Sequence, residues 1–329
     1  MLKTLRNAWK IKEIRTKLIF TFLMLVVIRF GSELPIPGVK TDFFANFFAN
    51  QSTDAFGFFN AMTGGSFSSM SIFALSITPY ITSSIIMQLL TIAIPKLEEM
   101  QRDGEDGRKK IAEYTRYLTV ALALIESIGM AVGFGGQGLL INYNVWSVVI
   151  AVATMTAGSA FLMWIGERIT EKGVGNGISI VLTINIVSRI PSDMSLLYEN
   201  FVKGKTIAKG MLAACIIAVI ILFVVVLVLI LNGAERRIPV QYSRKMVGRK
   251  MMGGQSTNIP LKVNTAGVIP VIFASSIMSF PSIIAQFAGK GNGTGIGSEI
   301  LRGLSSNNWC NPSQIQYSWG LIVYVVLCV

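Results

Sequence analysis

Long apolar blocks alternate with short polar stretches along this chain. About 20 consecutive apolar residues make a helix that crosses the hydrocarbon core of a bilayer. By that measure the first span is expected from Leu18 to about Leu34, with Arg29 and Glu33 one turn apart near its end. A loop from Pro35 to about Ala55 follows, and then a short apolar segment, Gly57–Met70, rich in Gly and Ser. It is too short to span and reads as a re-entrant half-helix, a form allowed only where protein or a water-filled cavity surrounds it. The second span is expected over Ser71–Pro95, interrupted at Pro79, and the third over Tyr117–Gly135, with Glu126 inside it. The fourth covers Val145–Ile165 and leads to a tight charged turn with Glu167, Arg168, Glu171 and Lys172, then GVGNG. The fifth covers Gly177–Ile190 and the sixth, the most apolar, Gly210–Leu231. After a long loop, Asn232–Val263, the seventh covers Thr265–Phe287 and is broken at Pro270 and Pro281. An eighth block starts near Trp319 and has eleven residues, so the chain as given is expected to stop within a helix.

The pattern predicts an all-α polytopic membrane protein. Its expected parts are a cytosolic segment 1–17, a first half-bundle 18–190, an external loop 191–209 and an incomplete second half 210–329. Composition agrees: 52% of residues are hydrophobic and only 14% charged, against about a quarter charged in soluble domains. The net charge of +12 first suggests nucleic acid, but the basic residues lie in short stretches between apolar blocks. The N-terminal segment and the stretch 96–116 hold six Lys/Arg each, the 167–172 turn two and the 232–263 loop seven, together 21 of 29. All four fall on one side of the expected spans, which places them and the N-terminus in the cytoplasm by the positive-inside rule. The long first block has no small-residue cleavage site after it, so it reads as a span and not as a signal peptide.

Candidate chemistry is narrow. There is no histidine, which removes Ser-His-Asp and Cys-His arrangements and most zinc chemistry. Cys215, Cys310 and Cys328 make neither a disulfide framework nor a metal site, and no Walker motif is present. No cofactor, metal or catalytic group is expected. All five Asp fall in loops, which leaves no intramembrane aspartate pair for proteolysis.

Two Pro-bearing stretches resemble each other: PYITSSIIM at 79–87 and PVIFASSIM at 270–278. Aligning Pro79 with Pro270 matches Ile81 with Ile272, Ser84 with Ser275, Ile86 with Ile277 and Met87 with Met278. They fall in the second and seventh spans, which enter from opposite sides. Interrupted segments at corresponding places in two inverted halves point to a pathway near the midplane.

Several longer strings carry a resemblance to a known family: FALSITPYITSSIIMQLL, DGEDGRKKIAEYTRYLT, ITEKGVGNGISI, ERRIPVQYSRK and QSTNIPLKVNTAGVIPVIFASSIM. In order and over nearly the whole chain they resemble the bacterial SecY family, the channel subunit of the general protein-secretion translocon. The resemblance implies ten spans in two inverted halves, an hourglass pore and passive, gated conduction of unfolded polypeptides. It implies an aliphatic ring at the waist with Ile81, Ile85, Leu182, Ile186 and Ile272; Leu182 stands where the family usually has Ile. Ile81 and Ile85 share a helix face, as do Leu182 and Ile186. An empty aliphatic collar dewets and so blocks ions. The resemblance makes 57–70 a plug, with Asn60, Gly64, Gly65, Ser66 and Phe67. It gives Gln88, Glu126 and Asn264 to a lateral gate between spans two/three and seven/eight. It makes Arg236, Arg237, Arg244, Lys245, Arg249 and Lys250 a cytosolic docking loop. The implied partners are SecE, SecG, the SecA motor, the ribosome, signal sequences, secretory polypeptides and membrane lipids, and the implied location is the bacterial plasma membrane. The competing reading is a secondary transporter with inverted repeats, a class that places ionisable residues at the midplane; here the waist positions are aliphatic.

Overall fold

The computed structural model describes residues 9–41, 43, 60–201, 207–240, 245–247, 250–252, 257–264 and 318–328, with 267, 270, 271, 274, 275, 277, 278, 300, 303 and 304. Contacts divide the chain into two compact units, 1–191 with 273–329, and 192–272.

In the first unit, α1 covers Lys12–Glu33 and carries the expected Arg29–Glu33 pair at 3.3 Å. Pro35 and Pro37 keep the chain extended after it. This extended stretch lies between two others. Ile36 N–H donates to Met70 O (3.0 Å) and Ile72 N–H to Leu34 O (2.9 Å); Lys40 N–H donates to Leu139 O (2.9 Å) and Ile141 N–H to Gly38 O (3.0 Å). Residues 60–77 then form a close-packed coil, a helical start at 60–62 followed by turns.

α2 covers Thr78–Ala93. Pro79 sits in its first turn, where a missing N–H costs nothing. The expected interruption at Pro79 is therefore the start of the helix, and Ser71–Ile77 belongs to the coil. Pro95 ends α2, and the chain bends by 102° into α3, Pro95–Arg102, which buries no residue. α4 covers Glu105–Phe134 and begins after Gly104 at φ 84° with Glu105 and Asp106 in its first turn, where carboxylates suit the helix dipole. The stretch 96–116, expected as a loop, is therefore two helical pieces joined by a turn at Asp103–Gly104. Its charges pair along each piece (Arg102 with Glu98 at 2.6 Å, Lys109 with Asp106 at 3.8 Å), so the backbone ladder continues beyond the apolar block. A short π-turn at Gly135–Leu139 closes α4.

α5 covers Val145–Lys172, so Glu167, Arg168, Glu171 and Lys172 lie on its last turns and the true turn is 173–176. Asn176 Oδ1 accepts from Ile178 N–H (3.1 Å) and caps the next helix, α6, Gly177–Phe201. α6 contains Pro191 and runs well past Ile190, so the expected external loop is helical up to Phe201. Near the chain end α8, Trp319–Cys328, begins where the eighth block was expected.

In the second unit α7, Ile207–Gly233, is apolar all round and none of its most apolar stretch is buried by protein, as befits a helix facing lipid. The 232–263 loop is more ordered than a loop. β1 (Glu235–Val240) pairs antiparallel with β4 (Thr257–Lys262), and β2 (Lys245–Val247) with β3 (Lys250–Met252). Among the described residues, four helices (α4, α5, α6 and α7) are long and apolar enough to cross a membrane, five if the bent α2–α3 pair counts as one span.

The core sits around the coil. Phe67, Met70, Ala74 and Leu75 pack with Ala123, Met130 and Phe134 of α4 and Met155 of α5. Phe73 and Ile77 pack with Ile28 of α1, Leu162, Ile165 and Ile169 of α5 and Val181 of α6. Gly158 makes one approach possible: a Cβ there would lie 2.1 Å from Ile72 O. Hydroxyls join the helices. Ser83 Oγ of α2 meets Thr119 Oγ1 of α4 at 2.6 Å, and Ser127 Oγ of α4 meets Thr156 Oγ1 of α5 at 2.9 Å. At one end of these helices Arg116 Nε donates to Glu167 Oε1 at 2.7 Å.

Interhelical hydroxyl bonds in membranes contribute about 0.6 kcal/mol on average. A double-mutant cycle of Ser83→Ala and Thr119→Ala, read by unfolding in mixed micelles, is expected to give a coupling of about that size.

Candidate functional site

The coil 60–77 satisfies its own backbone, which is why it is rich in hydroxyls. Thr63 Oγ1 donates to Asn60 O (3.1 Å) and accepts from Phe67 N–H (3.3 Å). Asn60 Oδ1 accepts from Ser68 N–H (3.1 Å), and Ser66 O accepts from Ser71 N–H (3.0 Å). With these bonds made, Met62, Phe67 and Met70 can be buried without orphaned amides. Four residues take the left-handed conformation: Gly64, Gly65, Met70 and Ser76. All five expected plug residues lie in this coil, while 57–59 fall outside the described residues. Of the segment expected as a half-helix, Asn60–Met62 are helical and 63–70 are turns.

Gly64 marks where the coil meets α6. Its φ is +68°, and a Cβ there would lie 2.7 Å from Asn185 O and 3.0 Å from Asn185 Cα. Asn185, 2% exposed, donates from Nδ2 to Ser76 Oγ at 3.0 Å. Ser76 in turn accepts on its carbonyl from Ser159 Oγ of α5 at 3.1 Å. Asn185 and Ser159 were not singled out from sequence. A lone Asn or Ser in an apolar helix has no periodic signal, and what distinguishes them is the coil they face.

The aliphatic ring residues occupy two helices. Ile85 of α2 is buried, and Ile81 is half-buried and packs against the cluster that holds Val181 of α6. Leu182 is half-buried and Ile186 is 46% exposed. α6 is thus two-sided: Val181 and Asn185 face the coil and bundle, and the adjacent stripe of Leu182 and Ile186 is more open. Ile272 lies outside the described residues.

Of the lateral-gate residues, Gln88 and Glu126 lie apart within the first unit, and Asn264 belongs to the second. The Ser83–Thr119 bond sets the register of antiparallel α2 and α4. Gln88 lies five residues to one side of that bond and Glu126 seven to the other, so at 1.5 Å per residue they stand about 18 Å apart along the axis. Gln88 is exposed, whereas Glu126 Oε2 is buried with no hydrogen-bond partner among the described residues. Asn264 is exposed and its Oδ1 accepts from Gly267 N–H at 3.0 Å, a local turn in the second unit. In the basic loop, Arg236 and Arg237 are exposed on β1, opposite Leu261 and Pro260. Lys245 and Lys250 belong to β2 and β3, and Arg244 and Arg249 lie outside the described residues.

A SecY family model matches residues 71–329. Protein translocase subunit SecY of Halalkalibacterium halodurans is 45% identical over 295 residues, 88% of this chain and 68% of that protein. The Pseudomonas aeruginosa subunit is 42% identical over 290 residues, 87% of this chain and 64% of the relative. The Escherichia coli K12 subunit is 41% identical over 319 residues, covering 96% and 68%. The chain thus spans about two thirds of the length of these relatives. Among solved structures, a protein-conducting channel matches with TM-score 0.66 at 17% identity, covering 95% of this chain and 70% of that one. Sec61 in a canine ribosome-channel complex matches with TM-score 0.62 at 18% identity, covering 95% and 71%. At such identities these two likenesses speak to the fold.

Valine at Gly64 is expected to push the coil off α6. With Met62→Cys as a probe, after replacement of the native cysteines by Ser, labelling by an aqueous thiol reagent should be about tenfold faster in the Gly64→Val background, as overpacking costs of 1–3 kcal/mol imply.

Proposed function

The chain belongs to the SecY family, and from that premise we propose that it forms the wall, waist and plug of a channel that conducts unfolded secretory polypeptides across the bacterial plasma membrane. The carrying observation is the turn-built coil at 60–77, buried among α1, α4, α5 and α6 and running directly into the helix that bears Ile81 and Ile85. A helix bundle that needs only to anchor or scaffold has no use for non-helical backbone in its centre. A pathway that must be sealed when idle does.

The ring works by desolvation. Ile81, Ile85, Leu182 and Ile186, with Ile272 from the other half, offer no hydrogen-bond acceptor to an ion and no strong partner to a passing side chain. Water leaves such a constriction when it is empty. A polypeptide parts it at little cost because aliphatic contacts are weak singly and nondirectional. The chain itself supplies no energy source, so the drive comes from outside, from a motor ATPase of the SecA kind or a translating ribosome.

The gate reading is narrower than a three-residue cluster. Glu126 is the member inside a packed helix face, and its side chain is a local element of the opening through which apolar segments leave for the lipid. Hydrogen bonds between helices at such a gate are weak enough for a signal sequence to compete with them. Arg236 and Arg237 on the β1–β4 hairpin form the cytosolic docking site, with RNA phosphates or the motor as partners. SecE and SecG complete the channel, and the N-terminus is cytoplasmic. The relatives reported above are translocase subunits and channels, not ion-coupled transporters.

Three outcomes test the reading. A photocrosslinker at Ile81 should capture an arrested secretory chain in membranes; capture only at lipid-facing controls such as Phe22 would remove the pore assignment. Replacing Ile81, Ile85 and Ile186 by Gly should raise the ion conductance of reconstituted channels, and an unchanged conductance counts against the ring. Arg236→Glu with Arg237→Glu should weaken ribosome co-sedimentation and lower its salt dependence by about two charges, since each phosphate contact contributes close to one unit of slope.

A further inference from the structure

Asn185 stands at the junction of two parts that a working channel must move together. On one side of α6 its neighbours in sequence, Leu182 and Ile186, belong to the open stripe. On the other side its backbone bears on Gly64 of the coil, and its side-chain amide holds Ser76 at the coil's far end. α6 therefore touches the coil at both ends of its turn-built stretch, through one residue.

Two buried polar atoms, one in α6 and one in the coil, lack partners among the described residues: Asn185 Oδ1 and Ser66 Oγ. Both residues are 2% exposed. Around them the polar atoms are paired: Thr63, Asn60, Ser71 and Ser76 all make hydrogen bonds. A buried group without a partner costs its desolvation energy, and it recovers that energy when water reaches it. The seated coil thus carries a penalty that disappears when it leaves.

We propose that Asn185 couples the pore to the plug, its bond to Ser76 holding the coil while the two unpaired atoms, Ser66 Oγ and Asn185 Oδ1, keep the seated coil poised to leave. This rests on the ring and plug reading above. A polypeptide that displaces Leu182 and Ile186 shifts α6, breaks the Asn185–Ser76 bond and lifts the backbone of α6 from Gly64. Water then reaches the orphaned acceptor of α6 and the orphaned hydroxyl of the coil. Two serine substitutions in one coil should consequently act in opposite directions. Ser66→Ala removes an unpaired hydroxyl and no bond made by it. Ser76→Ala removes the acceptor of the Asn185 amide.

The test uses the complete channel with its partner subunits in proteoliposomes, Met62→Cys as a probe of coil displacement, and an arrested secretory polypeptide to open the pore. Labelling is read with and without that polypeptide. Ser66→Ala should slow the labelling of idle channels by about fivefold or more, the effect of one buried unsatisfied hydroxyl. Ser76→Ala should quicken it by a similar factor. If Ser66→Ala labels as fast as the parent or faster, Ser66 Oγ is satisfied, for instance by an ordered water, and the proposal fails. If Ser76→Ala leaves the rate unchanged, Asn185 is not the coupling and the proposal fails. If the arrested polypeptide does not change labelling even in the parent, the plug reading itself fails, a result separate from either.

Discussion

Backbone that is not helical can lie at membrane depth only where protein covers it or a water-filled cavity lines it, because the lipid offers nothing to pair its N–H and C=O groups. The coil at 60–77 sits under that constraint, and the rest of the first unit can be understood as its enclosure. The coil meets the constraint in two ways. Its own Ser, Thr and Asn side chains pair its amides, and α1, α4, α5 and α6 press apolar faces around it. Neither way suffices alone: hydroxyl-rich turns exposed to lipid would leave carbonyls bare, and an apolar cage around an unpaired chain would bury orphans. The close approach of Gly158 to Ile72 O and of Gly64 to Asn185 shows how little space separates the coil from its walls.

Much of this architecture can be read from the residues, and the failures have physical causes. Apolar blocks located α1, α4, α5, α6 and α7, and the last four are long and apolar enough to cross the hydrocarbon core. The blocks misjudged where helices end. Hydropathy reports the edge of the bilayer, whereas a helix ends where its hydrogen-bond ladder ends. Hence Lys96–Arg102, Glu105–Arg116 and Glu167–Lys172, polar by composition, are helical in the structure. Pro79 shows the other side of the same lesson: proline breaks a helix from within and starts one at its first turn, and the letter alone does not distinguish the two.

The site was legible in a different way. Equal spacing put Ile81 with Ile85 and Leu182 with Ile186 on shared faces, but many apolar helices offer such pairs, and family resemblance was needed to single these out. Gln88 and Glu126 illustrate the limit. Both are polar residues within apolar helices, and the antiparallel register separates them. Asn185 was invisible for the opposite reason: its importance lies in a contact with a turn far away in sequence. A periodic pattern reports on the helix that carries it, not on what the helix leans against.

The length of α4 has a mechanical consequence. Thirty residues at 1.5 Å each make a rod of about 45 Å, and the hydrocarbon core takes up about 30 Å of it. Some 15 Å therefore stands clear of the hydrocarbon, and the Arg116–Glu167 pair braces it against α5 near the point of entry. A stiff rod pivoting at such a brace is a lever with its longer arm inside. A tilt at the outer tip reaches the inner end magnified about twofold, the ratio of those two lengths, so the charged end of α4 is a handle on the interior of the bundle.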